Sequence, residues 1–315
     1  MANIYFKPKV STRKKVQGAV SKSLVYIVLT TISIVWVLPF LYLIVQSFAP
    51  EYQTAVLVPP IDTWTLDNYR SLFDTSFIRN LGGKEVNVAE TYPFWRWYLN
   101  TLVIALITSV LQTVLTLMSA YAFSRLQFKT RKNYMKLILV IGMFPGFLGM
   151  IINYWVLYYI GLASETTSIA GLILVYIGGC IGNYYIAKGF FDTISRSLDE
   201  AAMIDGANKN TIFWKVIMPL SKPIVVYTIL LAFTAPWGDY MFASVMAQGK
   251  TELFNVAVGL QQMLSKASGT TYFPVFCAAG VVVSIPIVIL FFCLQNYYVE
   301  GVTGGALKGK KKKKL

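Results

Sequence analysis

A chain of 315 residues that is 56% hydrophobic and only 13% charged cannot hide its apolar atoms inside an ordinary water-soluble domain, and a polytopic membrane protein is indicated. The formal net charge of +14 would suit nucleic acid. The basic residues, however, alternate with apolar runs of roughly 20 residues, the length that crosses a bilayer as helix, so a lipid bilayer accounts for them and no nucleic-acid partner is expected. With no histidine and no carboxylate cluster within the apolar runs, the sequence argues against a histidine proton relay or a buried metal site.

Residues 1–22 carry Lys7, Lys9, Arg13, Lys14, Lys15 and Lys22 ahead of an apolar run over about 24–48. That run is too long for a signal peptide, lacks a small-x-small cleavage site and precedes further spans, so it reads as an uncleaved first span. Residues 49–95 hold six acidic and three basic residues, with prolines at 50, 59, 60 and 93. They read as an outside segment with short helical pieces, one of them after Thr65. The second span covers about 96–124, and the cluster Arg125, Lys129, Arg131, Lys132 and Lys136 behind it marks the cytoplasm. The third, about 135–160, contains Gly142, Pro145, Gly146 and Gly149 and is expected to kink. A short loop around Glu165 lies outside, and the fourth span follows over about 167–190.

The cytoplasmic loop 195–222 is an island of charge with its own helix punctuation. Ser197 and Glu200 have the spacing of a capping box, Asp199 and Glu200 suit the positive end of a helix dipole, and Gly206 is placed for a left-handed cap. Asn208 and Asn210 turn the chain into a second short helix over about 211–217, which Pro219 stops. Ser221 and Pro223 then start the next span as N-cap and first-turn proline. The fifth span, about 222–247, breaks at Pro236-Trp237-Gly238-Asp239. An outside loop over 248–272 leads to a sixth span, about 273–298, containing Pro286, and then to a basic tail over 301–315.

Segments assigned inside hold six, five, five and six of the 28 Lys and Arg residues, so six spans with both termini cytoplasmic satisfy the positive-inside bias at every loop. The expectation is an all-α membrane protein with one permease domain over 23–300. Cys180, Cys277 and Cys293 fall in apolar runs without C-x-x-C spacing and read as packing residues.

E-A-A-M-I-D-G at 200–206, with Pro219 thirteen residues after Gly206, resembles the E-A-A loop of ATP-binding-cassette (ABC) importer permeases. That pattern is E-A-A, three residues, G, nine residues, I-x-L-P; Val216 and Met218 replace the usual Ile and Leu. N-Y-R-S-L-F around Asn68, F-W-R-W-Y-L-N-T-L at 94–102 and G-V-T-G-G-A-L-K-G at 301–309 extend the likeness to carbohydrate-uptake permeases of the maltose/maltodextrin type, and within it to their smaller permease subunit, over nearly the whole chain.

The resemblance implies a type I ABC importer transmembrane-domain fold in the bacterial cytoplasmic membrane. It implies a second permease, two ATPase subunits holding the ATP and Mg, and an extracytoplasmic sugar-binding protein, with no cofactor in this chain. It assigns Glu200, Ala201, Ala202, Asp205, Gly206 and Pro219 to ATPase coupling. It sends the tail with Gly304, Gly305 and Lys308 to the ATPase dimer, and the loop with Lys266, Ser268 and Gly269 to the binding protein. From the residues themselves, small Ala201 and Ala202 on the surface of a helix invite close approach by another protein. Asp239, the one acidic residue well inside a span, is weighed equally as a pathway residue and as a structural one. Trp237 offers a ring face for sugar stacking; Asn153, Tyr154, Asn183 and Tyr184 are further pathway candidates.

G-G-A-L-K-G-K at 304–310 has the spacing of a phosphate-binding loop as far as its lysine, but Lys311 stands where Ser or Thr is required and no strand precedes it. ATP hydrolysis is therefore assigned to another subunit. An ion-coupled carrier would call for inverted repeats and midplane ion ligands, and a membrane enzyme for a catalytic constellation; the sequence offers none of these. Another solute for the same kind of permease stays open.

Overall fold

The computed structural model describes residues 12–50, 58–81, 83–266 and 272–311. Among the described residues every regular element is a helix except one two-stranded hairpin. Helix α1 (Thr12–Gln46) is followed by α2 (Asp67–Phe73), strands β1 (Ile78–Leu81) and β2 (Lys84–Asn87), α3 (Val88–Thr91) and the long α4 (Phe94–Arg125). Then come α5 (Arg131–Gly142), α6 (Gly146–Tyr159), α7 (Ser168–Gly178), α8 (Cys180–Asp192) and α9 (Ser197–Ile204). A segment of α10 (Lys209–Thr211), a π-helical stretch (Ile212–Ile217) and α11 (Met218–Leu220) leads to α12 (Lys222–Gly238), α13 (Met241–Ala247), α14 (Val256–Lys266) and α15 (Phe273–Lys311).

Among the described residues, four helical stretches are long and apolar enough to cross a bilayer: Lys22–Gln46, Phe94–Arg125, Ser168–Asp192 and Phe273–Gln295. Two bent pairs raise the number to as many as six. Arg131–Gly142 and Gly146–Tyr159 meet at 101°, and Lys209–Leu220 and Lys222–Gly238 at 86°. The kink expected around Pro145 is thus a sharp break, because the proline occupies the N-cap position of α6 and cannot continue α5.

The centre is α4. Its buried face carries Thr101, Ala105, Thr108, Gln112, Thr116 and Ala120 at helical spacing; all but Gln112 are small side chains that let α7, α8 and α12 approach closely. Two cores result. One holds Phe94, Trp97, Ile104, Leu172, Phe233, Trp237 and Met263. The other, at the opposite end of α4, holds Leu117, Tyr121, Tyr184, Phe191, Ile212, Phe213 and Ile217. By contrast, every residue from 22 to 41 of α1 is exposed.

Two segments hold more regular structure than expected. Residues 49–95 carry a short helix after Thr65 as expected, and beside it a hairpin: β1 and β2 pair antiparallel with Leu81 opposite Lys84, and Gly83 takes φ +81°, a conformation that costs glycine no Cβ penalty. Residues 248–272 are not a plain loop, since α14 packs back on α4 and α15. The break expected at Pro236-Trp237-Gly238-Asp239 is present: α12 ends at Gly238, and α13 follows as a separate helix. Cys180 and Cys277 are buried as expected, whereas Cys293 is exposed on α15.

The motif residues at the Trp97 end act as staples. Asn68 is buried and its amide donates to the carbonyls of Ser47 and Ala49, both at 2.8 Å, closing the end of α1. In the 94–102 motif, Trp97 Nε1 donates to Thr251 O at 2.8 Å, and Asn100 Nδ2 to the carbonyls of Glu252 and Phe254 at 2.9 and 3.0 Å. Thr101 Oγ1 accepts from Val256 N at 2.8 Å. The start of α4 therefore holds the connection into α14 by its backbone, which explains why this polar-aromatic run opens an otherwise apolar helix.

Candidate functional site

Helix α9 protrudes at the end of α4 opposite Trp97. The expected capping box is not formed: Ser197 is the first helical residue, and the preceding Arg196 provides no side-chain cap. Ser195 takes that work, because its hydroxyl accepts from Ser197 N at 3.3 Å and lies 2.7 Å from the Ser197 hydroxyl. The chain leaves α8 already turning at Ser195, so the cap falls two residues early.

The other end follows the expectation. Gly206 has φ +82°, its N–H donates to Met203 O at 3.1 Å, and Ala207 N–H donates to Ala202 O at 2.9 Å. This pair of bonds terminates a helix through a left-handed residue, for which glycine carries no Cβ penalty. Asn208 then caps the next helix by accepting from Thr211 N at 2.8 Å.

Pro219 does not stop that second helix as expected. The helix runs through a π-helical stretch to Leu220, and the turn into α12 comes at Ser221. Ser221 occupies the N-cap position of α12 with Pro223 in the first turn, yet its buried hydroxyl makes no hydrogen bond among the described residues. The underside of this elbow is apolar: Ile212, Phe213 and Ile217 sit in the second core, with the Phe213 and Tyr121 ring centroids 5.0 Å apart.

Glu200, Ala201, Asp205 and Gly206 are exposed. Ala202, expected beside Ala201 on the surface, instead turns inward and packs against the second core. Leu198 and Met203 are also exposed, and Ile204 is 87% exposed. The free face of α9 is therefore acidic and apolar together, which sequence reading missed by attending to the alanines. Beneath it lies a cleft of about 620 Å³ lined by Tyr121, Arg125, Arg196, Asp199, Glu200 and Lys209, among others.

A second feature absent from the sequence reading is the tie between α9 and α4. Arg125 Nε lies 3.3 Å from Asp199 Oδ2, with side chains only 5% and 12% exposed. Arg125 Nη2 also donates to the carbonyls of Phe191 and Ile194 at 2.9 and 2.8 Å. Beside it Ser124 Oγ donates to Asp192 Oδ1 at 2.6 Å, and Lys188 pairs with Asp192 Oδ2 at 2.6 Å. Asp199 had a local reading as a helix-dipole residue; the sequence signal that could have found its partner is the Arg that ends the second span.

The pathway candidates are not brought together. Tyr154 and Trp237 belong to the first core and Tyr184 to the second. Trp237 is 5% exposed, edge-on to Tyr98 at 5.5 Å and beside Phe233, so its ring presents no free face within this chain. Tyr184 is buried against Phe123 and Tyr185. Asn153 is exposed and Asn183 half-buried.

Asp239 sits at the break between α12 and α13, where it accepts from Tyr176 Oη at 2.6 Å and caps α13 by accepting from Phe242 N at 3.1 Å. Asn255 Nδ2 donates to the carbonyls of Pro236 and Asp239 at 3.1 and 2.7 Å, satisfying backbone freed by the break. Gly304, Gly305 and Lys308 lie on the continuous helix α15. Lys266 ends α14; Ser268 and Gly269 lie outside the described residues.

A profile of the binding-protein-dependent transport system inner membrane component family matches residues 112–304, a stretch that takes in the second core, α9, the elbow and α12. The chain belongs to this family. Inner membrane components of this kind are the non-catalytic, multi-pass subunits of their transport systems, and ATP hydrolysis resides in a separate ATPase. This family member is 35% identical to the maltodextrin transport system permease protein MalD of Streptococcus pneumoniae, covering 94% of this chain and 98% of that one. It is 33% identical to the galactooligosaccharides transport system permease protein GanQ of Bacillus subtilis, over 90% and 94% of the two chains. Among solved structures, a bacterial ABC transporter involved in the import of the acidic polysaccharide alginate superposes with a TM-score of 0.70 at 24% identity, covering 93% of this chain and 100% of that chain. That likeness establishes the shared fold.

Proposed function

We propose that this chain is one of two permease subunits of an ATP-driven oligosaccharide importer in the bacterial cytoplasmic membrane, with maltodextrin-type sugars as the substrate class. The observation that carries the coupling role is α9: a short helix with a left-handed glycine stop, presenting Glu200, Ala201, Asp205 and Ile204 to solvent while Asp199 fastens it to α4. An acidic and apolar knob of this kind fits a groove on an ATPase subunit. Relatives named for maltodextrin and for galactooligosaccharides match almost equally well, which supports the oligosaccharide class and leaves the linkage open.

In this reading six spans place both termini and the 195–222 loop in the cytoplasm, each bent pair counting as one span. Glu200, Ala201, Ala202, Asp205, Gly206 and Pro219 form or position the knob. A second permease completes the pathway, to which the accessible Asn153 and Asn183 contribute. An extracytoplasmic binding protein delivers sugar near Lys266, Ser268 and Gly269. Gly304, Gly305 and Lys308, on the end of α15, reach the ATPase pair, which holds ATP and Mg. ATP binding draws the two coupling helices together and favours an outward-facing state; hydrolysis restores the inward-facing one. This is a two-state equilibrium biased by partners with different affinities for the two states.

Glu200→Lys tests the reading. Uptake of labelled maltodextrin by cells carrying the complete importer should be lost while the protein stays inserted at normal abundance. Normal ATP-dependent uptake by the variant would remove α9 from the coupling role.

A further inference from the structure

The Arg125–Asp199 pair is built differently from a pair that serves stability alone. It lies within ion-pair distance at 3.3 Å, yet Arg125 Nε and Asp199 Oδ1 are both buried and make no hydrogen bond among the described residues. Buried charges left short of partners cost stability, and a buried pair is often replaceable by apolar side chains without loss. What the pair does supply is connection. Through Nη2, Arg125 holds the last turn of α8 at Phe191 and the linker at Ile194; through Nε it holds α9 at Asp199. Arg125 is itself the last residue of α4, the helix on which α7, α8 and α12 pack. One planar guanidinium therefore joins two spanning helices to the protruding one, and lysine, a point charge without the fork, cannot bridge all three.

We propose that Arg125, through Asp199, is the positioning residue that makes α4 and α8 follow a displacement of α9. Without it α9 stays attached by Ala202, Ala207 and the elbow, all of which pack on the second core. An apolar contact of that kind slides, whereas a buried fork fixed on three points does not. The inference rests on the coupling role proposed for α9 and adds the path by which its motion enters the membrane.

The test uses the complete importer, reconstituted in proteoliposomes with its binding protein, and reads sugar transported per ATP hydrolysed. Subunit stoichiometry and melting midpoint are measured on the same samples. Arg125→Lys should assemble and melt near the parent while the ratio falls about fivefold or more, the lower end of ordinary coupling between sites. The double variant Arg125→Met/Asp199→Leu leaves no unpaired charge buried and loses the two carbonyl bonds of Nη2, so it should assemble with a melting midpoint a few degrees below the parent, and should still transport poorly for each ATP. A parental ratio in either variant overturns the proposal. So does failure of both to assemble, which would make Arg125 a residue of stability alone. Glu200→Lys, run in parallel, separates the two readings: if it couples normally the role of α9 has failed, and if it uncouples while the Arg125 variants do not, only the path through Arg125 has.

Discussion

Replacing Asp239 distinguishes a sugar-path carboxylate from a structural one. In the structure both of its oxygens are engaged, one by Tyr176 Oη at 2.6 Å and the other by the Phe242 N–H at 3.1 Å. Asp239→Ala forfeits a hydrogen bond to a charged group, about 1.5–3 kcal/mol, and a helix cap, about 1 kcal/mol. The loss is then about 3 kcal/mol, or roughly 6–12 °C in melting midpoint at the sensitivity usual for chains somewhat smaller than this one. Asp239→Asn keeps a neutral acceptor for one donor and can turn its amide toward solvent, so it should cost about 1 kcal/mol. The assay is thermal unfolding of the solubilised importer by intrinsic tryptophan fluorescence, paired with uptake in cells. If alanine melted within about 1 °C of the parent, or if asparagine abolished uptake without altering the melt, the structural account of Asp239 would be wrong and a direct encounter with sugar would replace it.

Gly259 offers a second test, because a Cβ there would lie 2.0 Å from Cε3 of Trp97, a ring that is fully buried and hydrogen-bonded to Thr251. Gly259→Ala should destabilise by about 1–3 kcal/mol, and pairing it with Trp97→Phe should cost less than the sum of the single changes; strict additivity in the melting midpoints would contradict the clash. Gly206→Val places a β-branched residue at φ +82° and should lower the stability of α9 by about 1–2 kcal/mol. Uptake should fall with little change in the global melt, and unchanged uptake would show that α9 tolerates a loosened end. Asn255→Leu strips the donors from the carbonyls of Pro236 and Asp239 and should cost roughly 2–4 kcal/mol; a melt equal to the parent would mean that those carbonyls have other partners.

How much of this was readable beforehand depended on the range of the interaction involved. Four span positions came through because about 20 apolar residues in a row form a local signal, and Pro145 and Gly206 because their backbone consequences are local as well. The hairpin over Ile78–Asn87 was missed because Gly82-Gly83 was not weighed as a turn between two four-residue strands. Helix α14 was missed because a segment with polar residues beside a membrane looks like a loop until Trp97, Asn100 and Thr101 are known to receive it. The capping box had the right spacing and the wrong frame, since Ser195 turned the chain first. Least legible were the long-range pairs: Arg125 is 74 positions from Asp199, and Tyr176 is 63 from Asp239. Arg125, Asp199 and Asp239 each have a sufficient local reading on their own, as a basic flank, a dipole partner and a lone carboxylate, and nothing in the sequence singles out Tyr176.

The first helix carries a different lesson. Between residues 22 and 41 it touches nothing of its own chain closely enough to be covered, and it rejoins the body only near its far end, where Leu43 sits 3.2 Å from the place a Cβ on Gly280 would occupy. Nothing among the described residues fixes the angle of that rod-like helix along its length, so its slant answers to what surrounds it in the membrane, the hydrocarbon thickness included. Moving the protein into a thinner or thicker bilayer should therefore re-angle this arm while the bundle keeps its shape.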